Sequence, residues 1–378
     1  MVTNRSKVHP IMGAAPGPKT LIDGREVDYF CGTVYFDLHG DKLLVDALCQ
    51  TAKHYGTGSG TSRSGYGNTP ALLEVEQQAA QFFNTQSALY FASGYLGNAI
   101  LLQGLAADYD TIFVDSEAHY AIKDGAAISQ KPVVLFRHAD PEDLAHKLKT
   151  HLKPSQVPLV ISDGIFPTSG LIAPLAEYDR VLANYDNNIL CVDDAHALGV
   201  IGAQGRGSLE YCQVEGDRRY YSGTLSKAFG SYGGIIPGSH KLIEQLKKHS
   251  HIPYGSSPLP TPLAAASAKA LSLIAAQPER REQLWANVAY AKAAFRGLGF
   301  DAIPDTPVPI ICLSSSQLDL EGIHRQLLAQ DLVTHYVPGG SYTSVPDNGA
   351  IRVAIFSSHG QEQIDRLVEA VRGWLAKL

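Results

Sequence analysis

Over residues 43–54 the apolar positions Leu44, Val45, Leu48 and Ala52 recur at helical spacing and predict an amphipathic helix. A glycine-rich loop follows, carrying Gly56, Gly58, Gly60, Gly65 and Gly67. Thr69 then occupies a capping position with Pro70 at the first helical one, and the helix they open would bury Leu72, Val75, Ala79, Phe82 and Phe83. Beyond it, short apolar runs alternate with helical patterns. Strands are predicted over 88–91, 111–114, 133–136, 159–162, 189–192, 220–222 and 234–236, with helices such as 141–148 and 175–185 between most of them. Strands alternating with helices imply an α/β fold with a mainly parallel, doubly wound sheet covered on both faces.

The pattern changes near residue 260. Two long helical stretches, 260–276 and 278–298, precede a strand–helix–strand–strand–helix succession at 308–313, 318–330, 333–336, 351–356 and 362–375. That is the profile of a small C-terminal α+β domain. The organisation predicted is an arm over 1–42, rich in Pro, Gly and polar residues, a large domain over 43–277 and a small one over 278–378. No internal repeat or low-complexity tract interrupts it.

Composition narrows the class. The chain has 378 residues, of which 45% are hydrophobic, ample for a large buried core, and a net charge of −6 without any block of like charges. Nothing in it favours a nucleic-acid or anionic-membrane partner. The cysteines, Cys31, Cys49, Cys191, Cys212 and Cys312, are scattered and form no CxxC pair, which favours reduced thiols over a disulfide framework or zinc site. The N-terminus lacks the apolar core of a secretory signal, and no apolar run approaches membrane-spanning length. A soluble cytoplasmic enzyme is expected.

In a parallel α/β sheet, ligands gather at the carboxyl ends of strands. Four polar segments fall there. Ser93-Gly94-Tyr95, between a strand and a helix, presents free backbone N–H groups to a phosphate, although such turns are also common as plain structure. Asp193, ending a hydrophobic strand in the run Cys191–His196, needs a cationic partner, which a protonated pyridine nitrogen would supply, and His196 could reach the oxygen of the same ring. A metal site from Asp193, Asp194 and His196 is the rival reading, with no further ligand cluster to support it. Lys227 sits among small hydroxyls and glycines in Ser222–Gly230; Thr224 and Ser226 offer hydroxyls to a phosphate, and a lysine with lowered proton affinity can form an imine with an aldehyde. An ordinary loop lysine is the alternative. His119, in Asp115–His119, could lie over an aromatic cofactor, but a lone histidine is more often structural. The run Gly56-Thr57-Gly58-Ser59-Gly60 follows a helix rather than a strand, so it is not a dinucleotide loop; its glycines would let the backbone pass close to substrate or to a partner subunit.

Together these segments resemble the pyridoxal-phosphate (PLP) dependent α-oxoamine synthases, over nearly the whole chain from Tyr29 onward. VDDAHALGVIGAQGRG (192–207), GTLSKAFGSYGG (223–234), GSGTSR (58–63) and IRVAIFSSHGQEQIDRL (351–367) carry the resemblance. It implies a fold-type I PLP-dependent transferase whose large domain holds a seven-stranded sheet. It also implies that Lys227 is the Schiff-base lysine and the base for the Cα proton, that Asp193 pairs with the pyridinium, that His196 contacts the ring oxygen, and that His119 stacks on the ring. Backbone at Gly94 and Tyr95, with Ser93 and Thr224, would hold the phosphate. Gly255 and Ser256 would reach it from a neighbouring subunit, so that a homodimer shares the site. Arg352 would grip the amino acid's carboxylate, a bidentate task suited to guanidinium, with Arg63 also on the substrate side. The implied reaction is a decarboxylating condensation of an amino acid with an acyl-CoA.

Departures from the family pattern cluster around the substrate. Thr33, in Gly32–Leu38, stands where the family has an asparagine, and Pro70 where it has a histidine. In Asp163–Gly170, Asp163 shortens a glutamate near the cofactor and Pro167 replaces a serine. A PLP-dependent aminotransferase or lyase on the same fold therefore stays as the alternative reaction.

Overall fold

The computed structural model describes residues 9–376. The segment expected to run as an arm instead carries a hairpin, β1 (Lys19–Ile22) and β2 (Arg25–Tyr29). Its two-residue turn is Asp23-Gly24, both at positive φ, the arrangement that Asp-Gly favours. The dipeptide was a legible signal outweighed by the Pro/Gly-rich surroundings. Residues 1–8 of the expected arm lie outside the described residues.

Helices α1 (Lys42–Tyr55) and α2 (Pro70–Phe82) follow. Asp41 caps α1 by accepting from Leu43 N at 2.8 Å. Thr69 is extended at the N-cap of α2 as expected, but its hydroxyl makes no capping bond and is buried without a partner. The predicted inner face of α2 is buried in full, Phe83 included.

The sheet is then laid down by β3 (Ser87–Phe91), α3 (Gly97–Gly104), β4 (Thr111–Asp115), α4 (Tyr120–Ile128), β5 (Val133–Phe136), α5 (Pro141–His151), β6 (Pro158–Asp163), α6 (Leu175–Leu182), β7 (Ile189–Asp193), α7 (Ser208–Tyr211), β8 (Arg219–Thr224) and β9 (Gly234–Gly238). Every predicted strand is present, within two residues at either end. The seven strands lie in the order β3-β9-β8-β7-β6-β4-β5. β9 runs antiparallel to both its neighbours and the other pairings are parallel.

Alternate residues of the central strands feed opposite faces. Ile112, Val114, Leu159, Ile161, Ile189 and Cys191 pack with residues of α3, α4 and α8 (His240–His249). Phe113, Val160, Leu190 and Val192 pack toward α5 and α6. Burying each large apolar side chain is worth about 1.5–3 kcal/mol, so strands covered on both faces must be apolar at every interior position. Their charges are confined to the ends, and that is where the cavity described below lies.

The remaining elements are α9 (Ile252–Gly255), α10 (Thr261–Ala276), α11 (Glu279–Phe295), β10 (Ile310–Leu313), α12 (Leu320–Ala329), β11 (Leu332–Val333), β12 (His335–Val337), β13 (Ala350–Ala354) and α13 (Gln361–Leu375). One antiparallel sheet has the order β10-β13-β12. The single strand predicted over 333–336 is divided at Thr334, because β11 joins the N-terminal hairpin, parallel to β2, while β12 pairs with β13. A single apolar cluster runs from α2 and α10 through α11 to β10, β13 and α13. Among the described residues no helix is long and apolar enough to cross a membrane.

Candidate active site

Strands β4, β6 and β7 each end in a buried aspartate, and partners distinguish the three. Asp115 is satisfied by the backbone N–H groups of Glu117 and Ala139, both at 2.9 Å, and by His138 Nδ1 at 3.0 Å. It faces no cavity. Asp163 and Asp193 are register neighbours on adjacent strands, and both line a cavity of about 680 Å³ at the carboxyl edge of the sheet. Asp193 Oδ2 accepts from Asn98 Nδ2 at 2.6 Å and Oδ1 from Ala195 N at 3.1 Å; Ser222 Oγ in turn donates to Asn98 Oδ1 at 3.1 Å. A buried carboxylate held this firmly, with no basic side chain bonded to it among the described residues, is suited to a cation entering from the cavity. Asp163 Oδ2 accepts from His119 N at 2.8 Å, and burial beside Asp193 pushes its carboxyl well above the usual range.

Asp194 turns the other way, accepting from Ser208 N at 2.9 Å and from the Ser208 hydroxyl. Burial raises its pKa to about 7. The trio Asp193, Asp194 and His196 therefore does not converge on one point, and among the described residues no cluster of three or more metal-ligating side chains is found.

Lys227 follows β8 and lines the same cavity. Burial, aided by the nearby Arg352 charge, lowers its pKa to about 8, against the pull of Asp193 and Asp163. The amine is thus available as a nucleophile near neutral pH. Next to it Thr224 Oγ1 and Ser226 Oγ are 2.7 Å apart, and Thr224 Oγ1 also donates to Gly233 O at 3.0 Å. Opposite these hydroxyls lies the turn at Gly94–Leu96 that leads into α3. A Cβ on Gly94 would stand 2.6 Å from Thr224 Cβ, so only glycine lets that backbone approach. Ser93, Gly94, Tyr95, Thr224 and Ser226 thus form a cradle of amides and hydroxyls at a helix N-terminus, chemistry that fits a phosphate.

His119 caps α4, its Nδ1 accepting from Ala121 N at 3.1 Å, which leaves the ring hydrogen on Nε2. His196 Nδ1 lies 2.9 Å from the hydroxyl of Tyr35. Burial depresses the basicity of both histidines, of His196 most, with the positive charge of Lys227 adding to the effect on each. Both are neutral at neutral pH.

The far side of the cavity comes from other segments. Arg352, on β13, donates from Nε to Pro167 O at 2.7 Å and from Nη1 to Gly32 O at 3.0 Å, which leaves its Nη2 edge for a ligand. Thr33 and Thr168 line the wall beside it. Sequence reasoning missed His335, Tyr336, Ser341 and Tyr342, which close the rim; the glycine pair Gly339-Gly340 after a strand was the one hint of a functional loop. Tyr342 meets the His119 ring edge-on at 5.9 Å. Tyr35 was missed as well, being fully buried and shown only by its partner.

Three expected site residues lie elsewhere. Arg63 is paired with Glu76, its Nη1 at 2.5 Å and Nη2 at 2.9 Å from the two carboxylate oxygens, and also donates to Asn68 Oδ1 at 2.9 Å. Gly255 is exposed at the end of α9, and Ser256 lines a separate cleft with Arg63. None of the three touches the central cavity of its own chain. Within the chain nothing approaches Gly56, Gly58 or Gly60 closely, and Gly56 and Gly60 have positive φ instead. The positive φ of Gly56 and Gly60 is a conformational requirement for glycine in its own right.

A family model for aminotransferase class I and II matches residues 34–371. An 8-amino-7-oxononanoate synthase of Thermoanaerobacter pseudethanolicus is 32% identical over 362 residues, covering 95% of this chain and 90% of that protein. Serine palmitoyltransferase of Sphingomonas wittichii superposes with a TM-score of 0.89 at 25% identity, covering 96% of this chain and 91% of the other. A variant of SPT solved with PLP gives a TM-score of 0.90, also at 25% identity, over 98% of this chain and 94% of that one.

Proposed function

Because the chain belongs to the aminotransferase class I and II family, and within it to the α-oxoamine synthases, we propose that it binds PLP in the central cavity and condenses an amino acid with an acyl-CoA, releasing CoA and CO2. The observation that carries this reading is the convergence on one cavity of a low-pKa lysine, a buried and hydrogen-bonded carboxylate, and an amide-and-hydroxyl cradle. Those three features match, in turn, the aldehyde, the pyridine nitrogen and the phosphate of PLP. When bound, PLP supplies the electron sink for charge developing at the amino acid's Cα.

The chain's own residues do the rest. Lys227 would hold the cofactor through its amine and, once freed by the incoming amino acid, would take the Cα proton. Asp193, held in place by Asn98 and the Ala195 amide, would keep a proton on the ring nitrogen. His119 would cover the ring, and His196 would donate toward its oxygen. Arg352, aimed by the carbonyls of Pro167 and Gly32, receives the amino acid's carboxylate. The Cα carbon would then attack the thioester carbon, the C–S bond would break to release CoA as a thiolate that solvent protonates, and the β-keto acid would lose CO2, Lys227 returning its proton to Cα to leave an α-amino ketone. Holding the acyl carbon against Cα is the protein's main contribution to rate.

A homodimer belongs to the same proposal. Tyr66 is 96% exposed, Leu73 and Tyr254 are exposed on neighbouring elements, and the exposed Gly255, beside the half-buried Ser256 whose hydroxyl donates to Ile252 O at 2.8 Å, would meet a partner's phosphate cradle. We place the protein in the cytoplasm on the same reading.

The test is release of free CoA by PLP-loaded protein across a grid of amino acids and acyl-CoAs. Release that requires one amino acid, and that drops by at least about a thousandfold in Lys227→Ala, is the expected result. Consumption of an amino acid with no CoA release at any acyl-CoA overturns the condensation and favours the aminotransferase or lyase alternative.

A further inference from the structure

Tyr35 is 0% exposed, and its hydroxyl oxygen lies 2.9 Å from His196 Nδ1. His196 in turn lines the cavity, so Nε2 is the ring nitrogen left to face it. The imidazole is neutral, as argued above, and carries one hydrogen. Two arrangements are possible: Nδ1–H donating to the tyrosine, with Nε2 a bare acceptor, or the tyrosine donating to Nδ1, with the hydrogen on Nε2.

The neighbourhood of the tyrosine decides between them. Burial holds the Tyr35 pKa up at about 12, so the phenol keeps its hydrogen. That hydrogen needs an acceptor, and among the described residues His196 Nδ1 is the one bonded to the hydroxyl. The nearby Arg352 guanidinium carries positive charge and no acceptor, so it cannot take that hydrogen. With the ring nitrogen the acceptor in hydrogen-bond contact, the phenol gives its hydrogen to it. A buried donor facing a donor would leave one group unsatisfied.

We infer that Tyr35 is a positioning residue that fixes His196 as its Nε2–H tautomer, by donating its hydroxyl hydrogen to His196 Nδ1. This rests on the proposed PLP reading for its purpose: it makes His196 a permanent donor toward the oxygen of the ring.

The test is nitrogen NMR on the full chain labelled with 15N-histidine, first without PLP. His196 is assigned by the signals lost in His196→Gln. The expected result is a neutral Nε2–H ring in the parent protein and a mixture of tautomers in Tyr35→Phe. Nε2 found unprotonated in the parent, or the same pure tautomer kept in a folded Tyr35→Phe, overturns the inference. This arm needs neither cofactor nor substrate, so its failure is separable from failure of the reaction assignment. A second arm uses PLP-loaded protein: Tyr35→Phe weakens PLP binding by about three- to tenfold, the loss of one hydrogen bond, and shifts the pH dependence of the cofactor's absorption. Tyr35→Phe that unfolds at the parent temperature and leaves that absorption profile unmoved also counts against it.

Discussion

The floor and the rim of the cavity are built by different rules. The floor consists of strand ends and the turns that follow them. Asp163, Asp193, Thr224 and Lys227 come from three neighbouring strands or their first loops, and each polar group but the lysine has a local hydrogen-bond partner. The rim is assembled from segments far apart in sequence: Gly32–Thr33, Pro167–Thr168, the β12 end with Tyr342, and Arg352. Its residues touch one another through backbone carbonyls and ring edges rather than through buried charge pairs. In the floor the family pattern is kept at Asp193, Thr224 and Lys227, with Asp163 a shortened carboxylate, whereas the rim changes the chemical type of the residue at Thr33 and Pro167. Such a division suits an enzyme whose bond chemistry is fixed and whose substrate contacts are open to change.

The largest effect should come from breaking the floor while leaving its shape. Asp193→Asn keeps the size of the side chain but cannot hold a negative charge against a pyridinium, and its amide NH2 must face one of two donors, Asn98 or the Ala195 amide. CoA release should fall by at least about a hundredfold, with a much smaller change in thermal midpoint. An Asn variant within about tenfold of the parent would show that the carboxylate is structural, as Asp115 is, and the contrast between floor and rim would lose its chemical meaning.

The next effect concerns the lysine alone. A Lys227 pKa of about 8 makes the amine mostly free above that pH and mostly protonated below it. Capture of PLP by the cofactor-free protein should therefore slow about tenfold per pH unit below about 8 and level off above it. The same shift has a stability consequence. Between about 8 and the ordinary value of 10.5, the unfolded chain binds a proton that the folded chain does not, so stability of the cofactor-free protein rises with pH across that window. Stopped-flow absorbance over a pH series checks the first statement. A capture rate still climbing toward pH 10 would place the lysine in an ordinary solvated setting.

The same contrast explains what was legible in the sequence. The strand cores could be read because double-sided burial leaves continuous apolar runs, and the turns after them because small residues are required there; Gly94 against Thr224 is the clearest case. Asp115, Asp163 and Asp193 end their strands in the same way, and nothing local separates the structural one from the two that line the cavity. The pairing of β2 with β11 and the contact of Tyr35 with His196 each join residues more than a hundred positions apart, and the strand divides at Thr334 because its first half is drawn into that distant pairing while its second half meets β13. Periodicity and spacing carry no record of such pairings. Arg63 shows the converse: a residue in a family motif whose guanidinium is taken up by Glu76 within its own chain.

The smallest effect should come from restoring the family residue in the rim. Thr33 lines the cavity beside Gly32, whose carbonyl helps to aim Arg352. Thr33→Asn adds an amide donor on the cavity wall beside Arg352, the residue proposed to receive the amino acid's carboxylate. One neutral-to-charged hydrogen bond gained in a partly solvated site is worth about 1–2 kcal/mol at most. If that contact is made equally before and during the reaction, it lowers KM for the amino acid by about three- to tenfold and leaves kcat alone. Steady-state CoA release with the amino acid varied separates the two constants. A kcat that moves more than KM would mean that the rim takes part in the transition state, and the line between floor and rim would then have to be redrawn through Arg352.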